Sequence, residues 1–168
     1  TMCRAKAFTL VEILVVVVLL GILAAVVIPS VANSGTTARA GVLKANLDVL
    51  RRFVLVYTSQ HEEVGPGYTA GRGSTVDADV FIAQALLASD AEGQTAPRGT
   101  AGYKYGPYLS NMPRNPLNGR ATVRMLADGE DFPAAPDNGH GWIYRAQTGE
   151  IRPDNSGTDD AGRAYYAY

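Results

Sequence analysis

Cysteine is nearly absent. Cys3 is the single one in 168 residues, so no disulfide can close within the chain. Histidine is scarce too: His61 and His140 stand far apart in sequence, and with one cysteine they offer no transition-metal set at ligand spacing. Charge of one sign is not in excess. Fifteen basic against sixteen acidic residues give net −1, which points away from nucleic acid as a partner. The one glycine-rich loop, HEEVGPGYTAGRGST at 61–75, holds no phosphate-binding pattern of the Walker or dinucleotide type. No Ser-His-Asp or Cys-His arrangement stands out, so an enzyme is not expected.

What the sequence does have is a long apolar run. From Ile13 to Ile28 there is no charged or strongly polar side chain. Phe8–Ile28 is 21 residues, roughly 31 Å as a helix against a hydrocarbon core about 30 Å thick. It is too long for the core of a cleavable secretory signal. A single span in lipid has to be helical, because every backbone group must be paired internally. Arg4 and Lys6 precede the run. They place the N-terminus in the cytoplasm and the rest of the chain outside, single-pass.

Glu12 interrupts this picture. A carboxylate at the bilayer centre costs about 2.5–3.5 kcal/mol, less near the end of a span. Either it reaches back to the headgroups, or it pairs with a positive group inside an assembly.

The stretch KAFTLVEILVVVVLLGILAAVVIP, residues 6–29, resembles the N-terminus of the type IV pilin and pseudopilin superfamily. The resemblance implies a leader, residues 1–7, removed by a prepilin peptidase between Ala7 and Phe8. It implies N-methylation of Phe8 and places Glu12 as the fifth mature residue. Gly21 and Pro29 fall where the family has its helix-loosening residues; Ala7 departs from the family's glycine. In this reading residues 8–29 are membrane-embedded in lipid before assembly and later form the filament core. Glu12 of one subunit then pairs with the Phe8 amine of a neighbour, two charges that are costly apart in an apolar medium. Cleavage removes Cys3, Arg4 and Lys6, leaving thirteen basic and sixteen acidic residues.

Beyond Pro29 the pattern turns amphipathic. Leu43, Leu47, Leu50, Val54 and Tyr57 share one helical face, which predicts one long helix to about residue 60, bent or loosened near Pro29–Gly35. Segment 30–61 carries Arg39, Lys44, Arg51 and Arg52 against Asp48, whereas 62–168 holds nine basic and fourteen acidic residues. The basic cluster reads as a solvated face or as a match for acidic heads of neighbouring subunits. It lacks the aromatics of a single-strand nucleic-acid platform.

Residues 62–168 read as a small head. TVDADVFIAQALLASD predicts a second helix capped by Ser74 or Thr75, with Val80, Ala83, Gln84 and Leu87 inward. Tyr103, Tyr105 and Tyr108 read as packing or interface groups. ATVRML predicts a strand with Ala121, Val123 and Met125 on one side. GWIYRAQTGEIRP predicts a hairpin, with Trp142 and Tyr144 on one face, Ile143 and Arg145 on the other, and a turn near Thr148–Gly149. RAYYAY predicts an edge strand or an aromatic tail docking on a neighbour. The expected class is α+β: a long N-terminal helix packed on a small antiparallel sheet.

YLSNMPRNPLNG followed by GWIYRAQTGEI is similar to the major, G-type pseudopilin of type II secretion systems. This resemblance implies a homo-oligomeric filament, built by an inner-membrane assembly platform, that supports protein secretion. A type IV pilus subunit for adhesion, motility or DNA uptake, including a minor pilin acting as a binding module, is the alternative. The subfamily often binds calcium in a C-terminal loop. RPDNSGTDDAG offers Asp154, Asn155, Asp159 and Asp160 as oxygen donors, without EF-hand spacing; a solvated polar turn is the other reading.

Overall fold

A computed structural model describes residues 9–168, with the side chains of 26–34 left aside. The chain divides into two compact units, Thr1–Ala38 and Arg39–Tyr168.

Helix α1, Leu10–Gln60, runs through both. In the first unit every described side chain from 9 to 25 is exposed. The large apolar ones from Leu10 to Leu23 leave 49–82% of their surface uncovered. Among the described residues no helix is long and apolar enough to cross a membrane. The expected span, 8–29, lies partly outside them.

In the second unit the expected face of α1 is the core. Leu43, Leu47, Leu50, Val54 and Tyr57 are buried, joined by Ala40 and Phe53, while Lys44, Asp48, Arg51 and Arg52 are exposed. The helix ends where Glu62 and Glu63 turn left-handed, at φ 53° and 60°. The Glu63 N–H reaches back to the Thr58 carbonyl at 3.1 Å, the closure of a Schellman motif.

Helix α2, Ala78–Leu86, is capped by Asp77, whose carboxylate accepts from the N–H groups of Asp79 and Val80. The predicted cap at Ser74 or Thr75 is therefore corrected. Asp77 serves because it stands at the residue before the first helical turn, where its oxygen reaches two orphan donors. The predicted face shifts as well: Phe81, Gln84 and Ala85 are buried, and Leu87 is exposed. Phe81 fixes the rotation, since its ring meets Phe53 at 5.3 Å and Tyr144 at 4.8 Å.

Strands β1 (Ala88–Ser89) and β2 (Thr95–Ala96) form a short antiparallel pair. Strands β3 (Val123–Leu126), β4 (Trp142–Arg145) and β5 (Glu150–Pro153) form the sheet. The β4–β5 hairpin is antiparallel, turning at 146–149 with Gly149 at φ 73°. β3 joins β4 in parallel, because the 127–141 loop carries the chain back before β4 begins. Trp142 and Tyr144 face the core shared with α1, and Trp142 Nε1 donates to the Pro113 carbonyl at 2.9 Å. The other face is covered too: Ile143 and Leu126 are buried. Strict alternation in β3 fails for that reason, Val123 and Leu126 being buried while Met125 is half-buried.

The C-terminal tail is not an edge strand. Tyr165–Ala167 is a 3₁₀ turn with Tyr165 buried. The Tyr168 carbonyl accepts from Arg51 of α1 at 2.6 Å, so its aromatic groups dock on their own head.

Candidate functional site

At the helix start, Thr9 and Glu12 hold each other. Glu12 Oε2 accepts from the Thr9 backbone N–H at 3.1 Å and from the Thr9 hydroxyl at 3.0 Å, and the Glu12 N–H donates to Thr9 Oγ1 at 3.3 Å. This is a capping box, in which two orphan donors of the first turn are satisfied reciprocally. The helix N-terminus favours the negative charge as well. The signal was in the sequence as T-L-V-E ahead of an apolar run. Thr9 is the residue that sequence reasoning passed over. Ala7 and Phe8 lie outside the described residues, so the expected Glu12–amine pair has only its carboxylate side in view.

In the head, the residues expected to bind calcium have separate tasks. Asp154 is fully buried. Its Oδ1 accepts from the N–H groups of Asp137 and Asn138 at 3.0 and 3.2 Å, and its Oδ2 from that of His140 at 2.8 Å. It clamps the 137–140 loop over the start of β4. Asn155, also buried, accepts from Asn115. Asn115 donates further to the Gly141 carbonyl at 2.9 Å, and Asn118 to the carbonyls of His140 and Asp154. The three loops 115–119, 137–141 and 154–156 thus meet in one polar hub.

Asp159 sits in a different turn. Its Oδ1 accepts from the N–H groups of Ala161 and Arg163, its Oδ2 from the Tyr168 hydroxyl at 2.5 Å, with Lys44 Nζ at 4.0 Å. The Tyr168 hydroxyl first, then the Arg163 N–H, hold its carboxyl below the ordinary aspartate value. Asp160 is exposed. Among the described residues, the acidic and histidine side chains whose ligand atoms gather within 4.8 Å are Asp137, His140 and Asp154; Asp159 and Asp160 are not in that group. Asp154 and Asp159 accept from backbone donors and a tyrosine in two separate turns, so the structure does not gather Asp154, Asp159 and Asp160 into one group.

A serine and a histidine do meet. His61 Nε2 lies 3.0 Å from Ser89 Oγ, and Nδ1 lies 2.8 Å from the Tyr57 carbonyl. A backbone carbonyl, not a carboxylate, orients the ring, and Ser89 is fully buried. The pair is a satisfied polar group at the edge of the core.

Residues 2–28 match the family model described as the prokaryotic N-terminal methylation motif, which is typical of type IV pilin-like chains processed as prepilins. No curated protein and no solved structure is matched.

Proposed function

We propose that this chain is a structural subunit of a type II secretion pseudopilus. It starts as a single-pass inner-membrane precursor. A prepilin peptidase removes residues 1–7, Phe8 is N-methylated, and an inner-membrane platform draws the subunit into a homo-oligomeric filament. The methylation motif over residues 2–28 carries this reading.

The surface of the first unit supports it. Apolar side chains exposed on all sides of a helix, from Leu10 to Leu23, have to be covered by lipid or by copies of the same helix. Contacts between unlike patches on successive copies build a filament where the rotation between copies does not close. The absence of cysteine from residues 8–168 favours the secretion pseudopilus over pili whose subunits close a C-terminal loop with a disulfide.

In this reading Glu12 has two consecutive partners. Thr9 holds the carboxylate at the start of the helix, and the Phe8 amine of a neighbour takes it at docking. The test is Glu12→Val. Membrane insertion should survive, since a charge is removed from an apolar segment, and filament yield should fall sharply. Normal filament yield would remove the pairing role.

A further inference from the structure

The β4–β5 register sets Trp142 opposite Pro153. It therefore brings the residues just before β4 beside those just after β5, although Asp154 lies fourteen residues beyond His140. Asp137, His140 and Asp154 meet there, each with one ligand atom, and these atoms lie within 4.8 Å of one another. Asp154 forms a fully buried floor. The side chains of Asp137 and His140 keep 60% and 40% of their surface in solvent, so the group is open on one side.

The His140 Nδ1 atom is itself buried and has no hydrogen-bond partner. Either tautomer leaves that atom unsatisfied, as an idle donor or an idle acceptor, which is costly. It faces Asp154 Oδ2 across 4.0 Å, too far for a hydrogen bond. Zinc bonds to imidazole nitrogen and carboxylate oxygen are about 2.0–2.2 Å long, so one ion fits between the two atoms. A tetrahedral site would draw them to about 3.3 Å, within reach of a small swing of the His140 ring.

The lone pairs select the ligand atoms. Asp154 Oδ1 already accepts from two N–H groups, whereas Oδ2 accepts from the His140 N–H only and keeps a free lone pair toward the ring. Asp137 Oδ1 accepts from the Gly139 N–H at 2.7 Å, and its Oδ2 stands 3.8 Å from Arg124; each retains room for a cation. Among the described residues, no lysine or arginine nitrogen comes within 4.0 Å of the Asp154 carboxylate. Its buried charge rests on backbone dipoles alone.

We infer that Asp137, His140 and Asp154 bind a divalent transition-metal ion of the zinc type, through the His140 Nδ1, the Asp154 Oδ2 and one oxygen of Asp137. An imidazole between carboxylates suits zinc and its neighbours, while calcium and magnesium take oxygen ligands. Three protein ligands leave a fourth position for water on the open side. The ion ties the 137–141 loop to the end of β5. It depends neither on Phe8 nor on Glu12, so it is independent of filament assembly.

The test uses the full chain in detergent, with Cys3→Ser so that no thiol competes. The chain is stripped of metal and titrated with zinc chloride by calorimetry. One zinc per chain should bind saturably with a Kd at or below about 10 μM. Zinc at a hundredfold excess over Kd should raise Tm by about 5 °C. His140→Ala keeps the N–H that Asp154 accepts and deletes a ring nitrogen without a partner. Its metal-free Tm should match the parent, and zinc binding should weaken about a hundredfold. Asp137→Asn, at an exposed side chain, should weaken binding about tenfold. Asp160→Asn removes a carboxylate outside the group and should leave binding unchanged. No saturable zinc binding, unchanged binding in His140→Ala, or displacement of zinc by equimolar calcium would overturn the inference.

Discussion

The Glu12 carboxylate accepts two hydrogen bonds from Thr9, one from its backbone and one from its hydroxyl, at 3.1 and 3.0 Å. The carboxylate at the mouth of an apolar run is therefore engaged within its own first helical turn. A charge that would be expensive alone is held by the orphan donors that any helix start must satisfy.

Thr9→Ala should fray that start. Loss of a Ser or Thr cap costs about 0.5–2 kcal/mol of helix stability. Amide exchange of Leu10 to Ile13, measured by NMR in micelles, should accelerate severalfold while the head amides stay protected. Unchanged exchange would show that the capping box contributes nothing there.

Asp154→Ala should destabilise the head by about 2–4 kcal/mol, because three N–H donors lose a buried acceptor. Trp142 is the single tryptophan and is fully buried, so its fluorescence reports head unfolding in urea. A midpoint within error of the parent would contradict the hub.

Calcium offers a direct contrast. Since Asp154, Asp159 and Asp160 are not gathered into one group, calcium removal should leave the melting temperature unchanged. A rise on adding calcium, lost in Asp159→Ala and Asp160→Ala, would restore the calcium loop expected from the sequence.

Acid should loosen the C-terminal turn. The Tyr168 hydroxyl, then the Arg163 N–H, depress the Asp159 carboxyl, and the Gly139 N–H, then its contact with Asp154, depress that of Asp137. A folded-state pKa below the unfolded one gives stability that is complete above about pH 4. It is lost as pH falls through the lower folded value. The urea midpoint should drop below pH 4, and less steeply in Asp159→Asn. Identical slopes would exclude Asp159 from the acid response.

The amphipathic half of α1 was legible in the sequence because one period, Leu43 to Tyr57, decides one buried face. The β4–β5 hairpin was legible for the same reason, with Gly149 marking its turn. The rotation of α2 was not, because Val80 and Leu87 are as apolar as Phe81. Only contact with Phe53 and Tyr144 selects Phe81. The parallel entry of β3 depends on where a fifteen-residue loop returns, which no local pattern encodes. Asp154 reads as a cation ligand in the sequence because the pseudopilin resemblance implies a C-terminal calcium loop and the segment offers oxygen donors. Its role follows from three loops distant in sequence, and only the fold brings them together.

At the N-terminus the motif itself carried the reading. The run from Phe8 to Pro29 and the placing of Glu12 were visible in the residues. The bond from Thr9 to Glu12 depends on the turn at the helix start, which an apolar run does not by itself reveal.

The most direct measurement is intact mass. The chain should be expressed in bacterial membranes with and without a prepilin peptidase, then weighed whole. With the peptidase, loss of residues 1–7 and gain of one methyl group on Phe8 are expected; without it, the full chain. A chain left unprocessed in the presence of an active peptidase would contradict the central claim.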